Sequence, residues 1–333
     1  MHAEPTAERP ILTVADLRLV AVAKPGDAPV ELVAGTTLHA SRGEIVGVVG
    51  ESGSGKSLTL RAIAGLLPPG VHLAGGEIDV AGIDVARAKA RDLRRLNGET
   101  VGMVFQEPMS ALNPTMRIGA QIAEAARAHS RAQAKNRAVD LLWRMGFKEP
   151  ARQYRLYPHE LSGGMRQRVM IAIALAADPP LLLCDEPTTA LDATVTMRVL
   201  ELLGDLVREL DIGIVFVTHD LGVAARLCNR IVVMYAGRVV EEGPADDVLR
   251  RPRHPYTLAL LRAVPTRDGR VEDLQAIPGA PPGSGEPLPG CPFAPRCAFA
   301  LPECLEPVQL VDLGDGRMSA CRRHELLAEA ARA

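Results

Sequence analysis

The sequence predicts an α/β fold built on a parallel sheet, and three observations support this fold class. Short apolar runs at Glu44–Val49, Val101–Phe105 and Leu181–Cys184 suit strands that are buried on both faces. A glycine-rich turn follows the first run, and Leu58–Leu67, which has helix-forming composition, follows that turn. Polar residues directly follow the other two runs, at the strand ends where open α/β sheets bind ligands.

Two stretches of alternating apolar and polar residues, Ile11–Thr37 and Gly76–Val85, lie on either side of this first strand and helix. The first stretch has a turn-rich break at Lys24–Pro29, so it predicts a hairpin. We expect the two stretches to form a small antiparallel sheet beside the parallel core. Further along, about 50 residues between Gln106 and Leu161 have the apolar spacing of helices and predict a mainly helical insertion.

The glycine-rich turn fits the pattern G-x-x-x-x-G-K-[ST] at every fixed position. In such a turn the backbone N–H groups point inward at phosphates, and the following helix adds the positive end of its dipole. The lysine would reach the β- and γ-phosphates, and the final serine would bind magnesium. A nucleoside triphosphate site is therefore predicted, with a structural Gly/Ser-rich turn as the alternative. The predicted ATP contacts are Gly50, Glu51, Ser52, Gly53, Ser54, Gly55, Lys56, Ser57 and Leu58.

Two carboxylates, Asp185 and Glu186, follow the third buried strand. Asp185 would hold magnesium opposite Ser57, and Glu186 would polarise the water that attacks the γ-phosphate. An acidic pair in this position is otherwise often a turn. His219 follows a further apolar strand at Asp211–Val217, although a lone histidine there is more often structural than catalytic.

The segment Leu161–Arg168 has the sequence Leu-Ser-Gly-Gly-Met-Arg-Gln-Arg and precedes a helix-like run at Val169–Ala177. Taken alone, its serine and glycines predict an ordinary helix N-cap. A capped helix start also presents free N–H groups and a positive dipole end, which a second phosphate-binding surface requires. The two interpretations share one geometry.

Composition and charge exclude several classes of protein. The chain is 47% hydrophobic and 23% charged with a net charge of −2, which is typical of a globular protein of about two domains and argues against a broad nucleic-acid surface. No apolar run approaches the ~18 residues of a membrane span, and Met1–Pro10 lacks a signal core. We therefore expect a cytosolic chain whose cysteines are reduced unless they hold a metal.

Four of the six cysteines cluster within 31 residues: Cys291, Cys297, Cys304 and Cys321. They follow a predicted linker, Pro278–Pro292, which holds six prolines and four glycines. Four thiolates in a reduced compartment suit an iron–sulfur cluster or tetrahedral zinc, although the paired C-x-x-C spacing common in zinc sites is absent. Unliganded or disulfide-linked thiols are a third alternative, and His324 is a possible substitute ligand. Cys184 and Cys228 are expected to be buried in a strand and a helix.

Five features follow one another in an order that resembles the ATPase subunit of an ABC transporter. They are the phosphate loop, Gln106 after a strand, the Leu-Ser-Gly-Gly segment, the Asp-Glu pair and the late histidine. Phe105–Pro114, Tyr157–Met165 and Arg253–Thr257 make the chain more similar to the oligopeptide/dipeptide and nickel importer branch. The resemblance extends to about residue 324. It implies a RecA-like parallel core, an antiparallel β subdomain, a helical subdomain and a small Cys-containing C-terminal extension. The implied boundaries are 1–106 and 161–250 for the core, 107–160 for the helical subdomain and 251–333 for the extension.

The resemblance also implies a mechanism in which two ATPase domains clamp two ATP molecules head to tail. The implied catalytic residues are Glu186, His219, Gln106 and Lys56. The implied magnesium ligands are Ser57, Gln106 and Asp185. Each ATP would contact the partner's Ser162, Gly163, Gly164 and Gln167, and Asp192 would communicate across the dimer. For the four cysteines, the resemblance favours a [4Fe–4S] cluster over Zn²⁺.

Partners follow from the same resemblance. They are two transmembrane permease subunits, a second ABC ATPase that is more often a paralogue than a copy of the chain, and indirectly an extracytoplasmic substrate-binding protein, with no nucleic acid. The chain would lie on the cytoplasmic face of the inner membrane and couple ATP hydrolysis to the uptake of peptides or similar solutes.

One position departs from the family pattern. Family members usually carry an aromatic residue in the first hairpin that stacks on adenine, but no Phe, Tyr or Trp precedes Phe105, and Val20, Ala21 and Val22 stand near the expected position. Base–aromatic stacking is worth ~1–3 kcal/mol in nucleic-acid complexes. We therefore expect weaker ATP affinity or looser base selectivity.

Two other functions are weighed against the importer. A soluble ABC ATPase of DNA repair or translation is the main alternative, but it predicts coiled-coil insertions or two linked ATPase domains, and the sequence has neither pattern. A metabolic phosphate-loop kinase is the other alternative, but Leu161–Arg168 would have no function in such an enzyme.

Overall fold

The structure is a computed structural model. It describes residues 9–22, 24, 26–107, 111–126, 130–189, 191–263, 276–283, 285, 286, 288–325 and 327. Within this part, the strands are β1 (Leu12–Ala21), β2 (Val30–Ala40), β3 (Ile45–Val49), β4 (Val71–Val80), β5 (Ile83–Asp84), β6 (Val101–Val104), β7 (Leu181–Asp185), β8 (Gly213–Thr218), β9 (Arg230–Tyr235), β10 (Arg238–Pro244), β11 (Val311–Gly314) and β12 (Arg317–Ser319).

The helices alternate with the strands over much of the chain. They are α1 (Lys56–Ile63), α2 (Ala90–Arg95), α3 (Ile118–Ala125), α4 (Arg131–Arg144), α5 (Pro150–Gln153), α6 (Gly163–Ala174), α7 (Ala193–Leu210), α8 (Leu221–Leu227), α9 (Ala245–Arg250) and α10 (Pro255–Arg262). None of the described helices combines the length and the apolar character needed to cross a membrane.

The main sheet has the strand order β11-β12-β10-β9-β3-β8-β7-β6. Strands β9, β3, β8, β7 and β6 are parallel, as predicted for the core. The side chains of β3 pack into two separate hydrophobic cores. Val46 and Val48 pack on one face of the sheet, and Ile45 and Val49 pack on the other. The central strands are apolar throughout because both faces of the sheet are covered.

The predicted antiparallel sheet is present, with the order β2-β1-β4-β5. Leu12, Val14, Leu17 and Leu19 of β1 are all fully buried although their spacing is not strictly alternate. The register shifts between Val14 and Leu17, and Asp16 has a positive φ of 48°. This irregularity restores the inward direction of the later leucines, since one extra residue in a strand inverts the faces.

Several predicted helix limits were wrong. The helix predicted at Leu58–Leu67 is α1, which begins at Lys56 and ends before Gly65, a residue with a φ of 65°. The helix predicted at Val169–Ala177 is α6, which begins at Gly163 because the Ser162 hydroxyl caps it. Cys228, expected inside a helix, is buried directly after the end of α8.

The C-terminal extension is not simply a lobe beyond a linker. Its hairpin of β11 and β12 adds to the edge of the main sheet, where Glu241 and Glu242 of β10 pair with Ser319 and Met318. Helix α10 packs beside this edge, and Glu241 accepts hydrogen bonds from the backbone N–H groups of Arg253 and His254. Backbone pairing therefore continues from the parallel core into the extension.

Candidate functional site

The glycine-rich turn joins β3 to α1, and its fold depends on two glycines. A Cβ on Gly50 would lie 2.1 Å from the carbonyl oxygen of Met234, so a side chain does not fit there. Gly55 is the N-cap of α1 and has a φ of 98°, in the left-handed region that favours glycine. The turn thus runs close to β9 and then enters the helix with its N–H groups at the helix start.

Lys56 lies inside this turn and is only 4% exposed. Its Nζ donates to the carbonyl oxygens of Gly50 and Glu51 at 2.8 and 2.7 Å. Burial lowers the pKa of the Lys56 ammonium, while the nearby carboxylates of Glu186, Asp185 and Glu51 oppose that change. The ammonium is therefore held at the centre of the turn by oxygen acceptors.

The predicted magnesium ligands Ser57 and Asp185 meet across the sheet edge. Ser57 Oγ donates to Asp185 Oδ1 at 2.7 Å. Burial raises the pKa of Asp185, and the hydrogen bond from Ser57 and the charge of Arg61 act in the opposite direction. A hydroxyl beside a carboxylate is an oxygen donor pair of the kind that Mg²⁺ binds in phosphate-loop sites.

Glu186 is the centre of a second group of side chains. Its Oε2 lies 3.0 Å from His219 Nδ1 and accepts hydrogen bonds from Thr189 Oγ1 at 2.9 Å and from Gln106 Nε2 at 3.4 Å. Glu186 follows β7 with a positive φ of 45°, and its N–H donates to the carbonyl oxygen of Val217 on β8. A non-glycine residue in this conformation is strained, and such residues concentrate at functional sites.

The phosphate loop, Gln106, Glu186 and His219 open onto one cleft of about 1270 Å³. Ser52 to Leu58 line it, whereas Gly50, Glu51 and Asp185 do not. Further lining residues come from the start of β2, from the β9–β10 turn and from the segment after α10, and they include Val30, Leu32, Arg238, Pro282, Leu288 and Pro289. The sheet thus brings together the carboxyl ends of four strands that are distant in sequence, as expected for parallel strands.

The expected position of the adenine contact stays a prediction. Val20 and Ala21 pair with His72 and Val71 of β4, and neither they nor Val22 are among the residues that line the cleft. The start of β2 lines it instead, together with the proline-rich segment after α10. A Cβ on Gly285 would lie 2.7 Å from Val30 Cγ1, so this segment packs directly on β2.

The Leu-Ser-Gly-Gly segment lies outside this cleft. Ser162 and Gly163 are exposed at the start of α6, where Ser162 Oγ accepts from the N–H of Met165 at 3.4 Å. Gly164 is buried because α7 passes close by: a Cβ there would lie 2.3 Å from Val195 Cγ1. Gln167 is only 1% exposed in this single chain. Its predicted contact with a partner's nucleotide stays a prediction.

Asp192 is also exposed and lies at the start of a helix. Its Oδ1 accepts from the N–H of Val195 at 2.9 Å, so Asp192 is the N-cap of α7. It does not line the cleft of its own chain. Its predicted role between subunits stays a prediction.

The four clustered cysteines line one small cavity, together with His254, Phe293 and Arg323. All four thiols are free, and burial raises the pKa of Cys291 and Cys297, and that of Cys321 to about 12. In the part of the chain that the structure describes, no set of three or more His, Cys, Asp or Glu residues is arranged to hold a metal ion. The predicted metal centre is therefore not observed, and His324 does not line the cavity.

Sequence reasoning missed the residues that hold Glu51. Arg296 forms two hydrogen bonds to the Glu51 carboxylate, and Tyr256 accepts one from the Glu51 N–H. Arg296 lies 245 residues from Glu51 in the sequence, and Tyr256 lies 205 residues from it. The only local signal was that Arg296 directly precedes Cys297.

Comparisons with known proteins agree with this geometry. A family model described as ABC transporter matches residues 33–189, and one described as oligopeptide/dipeptide transporter, C-terminal region, matches residues 240–304. A probable peptide ABC transporter ATP-binding protein of Sinorhizobium fredii is 45% identical, over 87% of this chain and 88% of its own. The oligopeptide transport ATP-binding protein OppD of Bacillus subtilis is 47% identical, over 82% of this chain and 77% of its own.

A solved structure gives the same result for the fold. The dimeric structure of a post-hydrolysis state of the ATP-binding cassette MJ0796, bound to ADP and Pi, has a TM-score of 0.62 and 29% sequence identity. The match covers 70% of this chain and 98% of the MJ0796 chain.

The fold, the site and these relatives define an ABC-type ATPase, which hydrolyses ATP. The chain belongs to the ABC transporter ATP-binding family, in the branch that carries the oligopeptide/dipeptide transporter C-terminal region. The predicted family and the predicted ABC ATPase fold are confirmed, whereas the Cys-containing character of the extension stays a prediction. The two relatives named above are described as peptide and oligopeptide transport proteins, not as proteins of DNA repair or translation.

Proposed function

We propose that this chain is the energy-coupling subunit of an importer for peptides or similar small solutes. The observation that carries the proposal is the convergence of the phosphate loop, the Ser57–Asp185 pair and the Glu186 group on one cleft. The printed descriptions of the relatives, which are peptide and oligopeptide transport ATP-binding proteins, support the substrate class.

In the proposed mechanism, Lys56 binds the β- and γ-phosphates, and the N–H groups of the turn and of the α1 start surround them. Ser57, Asp185 and Gln106 hold Mg²⁺, which when bound neutralises charge on the phosphate oxygens. The observed hydrogen bond between Ser57 and Asp185 supports this, because it holds both oxygens at one point of the cleft.

Glu186 is proposed to polarise the attacking water. Gln106, Thr189 and His219 all contact the same oxygen, Oε2, which leaves Oε1 available to the water. His219 would thereby orient the carboxylate and also reach the γ-phosphate. The exposed position of the His219 side chain, at 54%, is suited to contact with a ligand in the cleft.

A second ATPase subunit is proposed to complete the site. Ser162 and Gly163 lie at an exposed helix start that is absent from the cleft of their own chain. Their free N–H groups would bind the γ-phosphate of the partner, with Asp192 and the buried Gly164 supporting that surface. A paralogue is the expected partner, and closure on ATP would shift the permeases between two conformations.

The proposal also assigns the regions of the chain and its location. Residues 1–106 and 161–250 form the ATPase core, 107–160 form the helical part that docks on the permeases, and 251–333 form the extension. Two permease subunits and an extracytoplasmic binding protein would choose the solute. The chain would act at the cytoplasmic face of the inner membrane.

We further propose that the four clustered cysteines hold a [4Fe–4S] cluster, with Zn²⁺ as the alternative. Four free thiols around one cavity are of the donor type that such a cluster binds, and they would have to move closer together to hold it. When bound, the group would cross-link loops that contain few apolar residues. Iron and sulfide analysis of anaerobically purified chain tests this, and a colourless preparation with stoichiometric zinc would reverse the choice.

The experiment that tests the proposed function is purification of the chain from membranes with its partners. We expect two permease subunits and a second ATPase to co-purify, and a peptide-loaded binding protein to stimulate ATP hydrolysis in the reconstituted complex. Recovery of a monomer whose hydrolysis needs no partner would contradict the proposal.

A further inference from the structure

Glu51 of the phosphate loop is held from three directions. Its carbonyl oxygen accepts from Lys56 Nζ at 2.7 Å, its N–H donates to Tyr256 Oη at 2.7 Å, and its carboxylate binds Arg296. The first bond lies within the loop, but the other two come from the C-terminal extension. Glu51 is therefore a residue of the phosphate loop that the extension binds directly.

The contact with Arg296 is a buried, two-point ion pair. The two guanidinium nitrogens lie 2.7 and 3.2 Å from Oε2 and Oε1 of Glu51, and the Arg296 side chain is 6% exposed. Arg296 also donates to Tyr235 Oη at 3.2 Å and to the carbonyl oxygen of Pro278 at 2.8 Å. Such a planar, two-bond pair fixes orientation as well as distance.

The contact with Tyr256 is equally rigid because the ring is fully buried. It packs on Tyr235 and Phe293 with ring centroids 4.5 and 5.3 Å away. Aromatic rings in such a cluster have little rotational freedom. The hydroxyl is thus a fixed acceptor for the Glu51 N–H.

Both contacts lead back to the cavity lined by the four cysteines. Arg296 directly precedes Cys297 in the sequence. On the other path, the N–H of Tyr256 donates to Nδ1 of His254, whose Nε2 lies 3.9 Å from Cys291 Sγ. Because Nδ1 is an acceptor, the proton of this neutral ring is on Nε2 and points toward the cysteine sulfur.

We propose that the four-cysteine extension positions the phosphate loop through Glu51, with Arg296 and Tyr256 as the positioning residues. Nucleotide binding and the conformation of the cysteine cavity are then coupled: nucleotide should change the surroundings of the cysteines, and a change at the positioning residues should change nucleotide affinity. The inference rests on the proposed nucleotide site, because it concerns the same loop.

The first test measures the affinity of the full chain for a fluorescent ATP analogue with Mg²⁺. Arg296→Lys and Glu51→Gln should each weaken binding about tenfold, since each breaks the two-point ion pair. The double variant should be no weaker than either single variant, because the same contact is already lost. Arg317→Lys is the matched control: Arg317 is also a buried arginine of the extension, but it binds Glu241 and the carbonyl oxygen of Arg251.

The second test needs no substitution in the extension. Iodoacetamide labelling of the chain as purified, followed by peptide mass spectrometry, gives the reaction rate of each cysteine. Nucleotide should change the rates of Cys291 and Cys297 at least threefold, and Glu51→Gln should remove that dependence. Cys184, which is fully buried in β7, should stay unlabelled and therefore reports any unfolding during the reaction.

Either of two results would overturn the inference: affinities of Arg296→Lys and Glu51→Gln within twofold of the unaltered chain, or labelling rates that do not respond to nucleotide. Lys56→Ala separates this failure from failure of the proposed site. If Lys56→Ala abolishes nucleotide binding while Arg296→Lys has no effect, only the positioning role is wrong. If Lys56→Ala binds normally, the proposed nucleotide site itself is wrong.

Discussion

At the scale of single residues, the site depends on one carboxylate that is held by three neighbours. Gln106, Thr189 and His219 all contact Oε2 of Glu186, and the backbone of Glu186 is in the left-handed region. These contacts limit the rotation of the side chain. Replacing the carboxylate by an amide of the same shape therefore tests its chemistry without disturbing its place.

We predict that Glu186→Gln keeps ATP binding but lowers the rate of hydrolysis at least a hundredfold, because an amide cannot accept a proton from the attacking water. Affinity is measured by nucleotide titration and turnover by phosphate release from the assembled complex. Glu77→Gln, which changes an exposed residue of β4, is the control. Hydrolysis at the unaltered rate would refute the assignment of Glu186.

The residues that line the cleft predict weak discrimination between nucleotides. Among the described lining residues there is no Phe, Tyr or Trp, and aliphatic side chains such as those of Val30, Leu32 and Leu288 read no base edge. Competition binding should place the dissociation constants of ATP and GTP within about fivefold of each other, given a missing stacking contribution of ~1–3 kcal/mol. A hundredfold preference for ATP would contradict this prediction.

At the scale of elements, helices α6 and α7 cross so closely that one glycine is required. A Cβ on Gly164 would lie 2.3 Å from Val195 Cγ1, whereas a Cβ on its neighbour Gly163 would have its nearest atom, Leu191 Cδ2, at 4.0 Å. Valine is branched at Cβ and cannot easily rotate away. Adjacent glycines in one sequence motif thus serve different purposes, close packing for Gly164 and surface exposure for Gly163.

Gly164→Ala should lower the free energy of unfolding by about 1–3 kcal/mol, the usual cost of overpacking, and Val195→Ala in the same chain should restore most of it. Gly163→Ala should leave stability nearly unchanged but weaken ATP-driven pairing with the second subunit. Urea unfolding and size-exclusion chromatography with ATP measure the two effects. Equal losses of stability in both alanine variants would show that the crossing of α6 and α7 is not the cause.

At the scale of the whole molecule, the extension is tied to the core by a buried carboxylate. Glu241 of β10 is fully buried and accepts from the N–H groups of Arg253 and His254, at the start of α10. Burial raises its pKa to about 7, with the hydrogen bonds from Thr257 and Arg253 acting in the opposite direction. The folded protein therefore holds a proton on Glu241 in a pH range where the unfolded chain has lost it.

This difference predicts how stability depends on pH. Between pH 4.5, the ordinary pKa of a glutamate in the unfolded chain, and about pH 7, the folded state binds more protons than the unfolded state. The stabilising contribution of protonated Glu241 is therefore fully present below pH 4.5 and is lost as the pH rises through 7. Glu241→Gln, which keeps an acceptor oxygen, should reduce this pH-dependent loss of unfolding free energy by at most about 3 kcal/mol. Urea unfolding at pH 5 to 8 measures it, with Glu77→Gln as the exposed control. An unchanged pH profile would mean that Glu241 is already ionised in the folded state.

The sequence alone determined the parallel core, the antiparallel sheet and most of the residues of the cleft. Strand signals such as Val101–Phe105 and the phosphate-loop pattern are local, because side-chain period and backbone conformation depend on neighbours in the chain. The order of parallel strands then places Asp185, Gln106 and His219 at one edge of the sheet without any knowledge of distances.

Only the tertiary structure decided what happens between segments distant in the chain. It placed Val30 and the segment beyond α10 in the lining of the cleft, and it buried Gln167. It also placed Arg296 on Glu51, 245 residues apart. Local composition cannot specify such contacts, because they arise from how whole elements pack, and packing is set by the complementary shapes of side chains that meet only after the chain has folded.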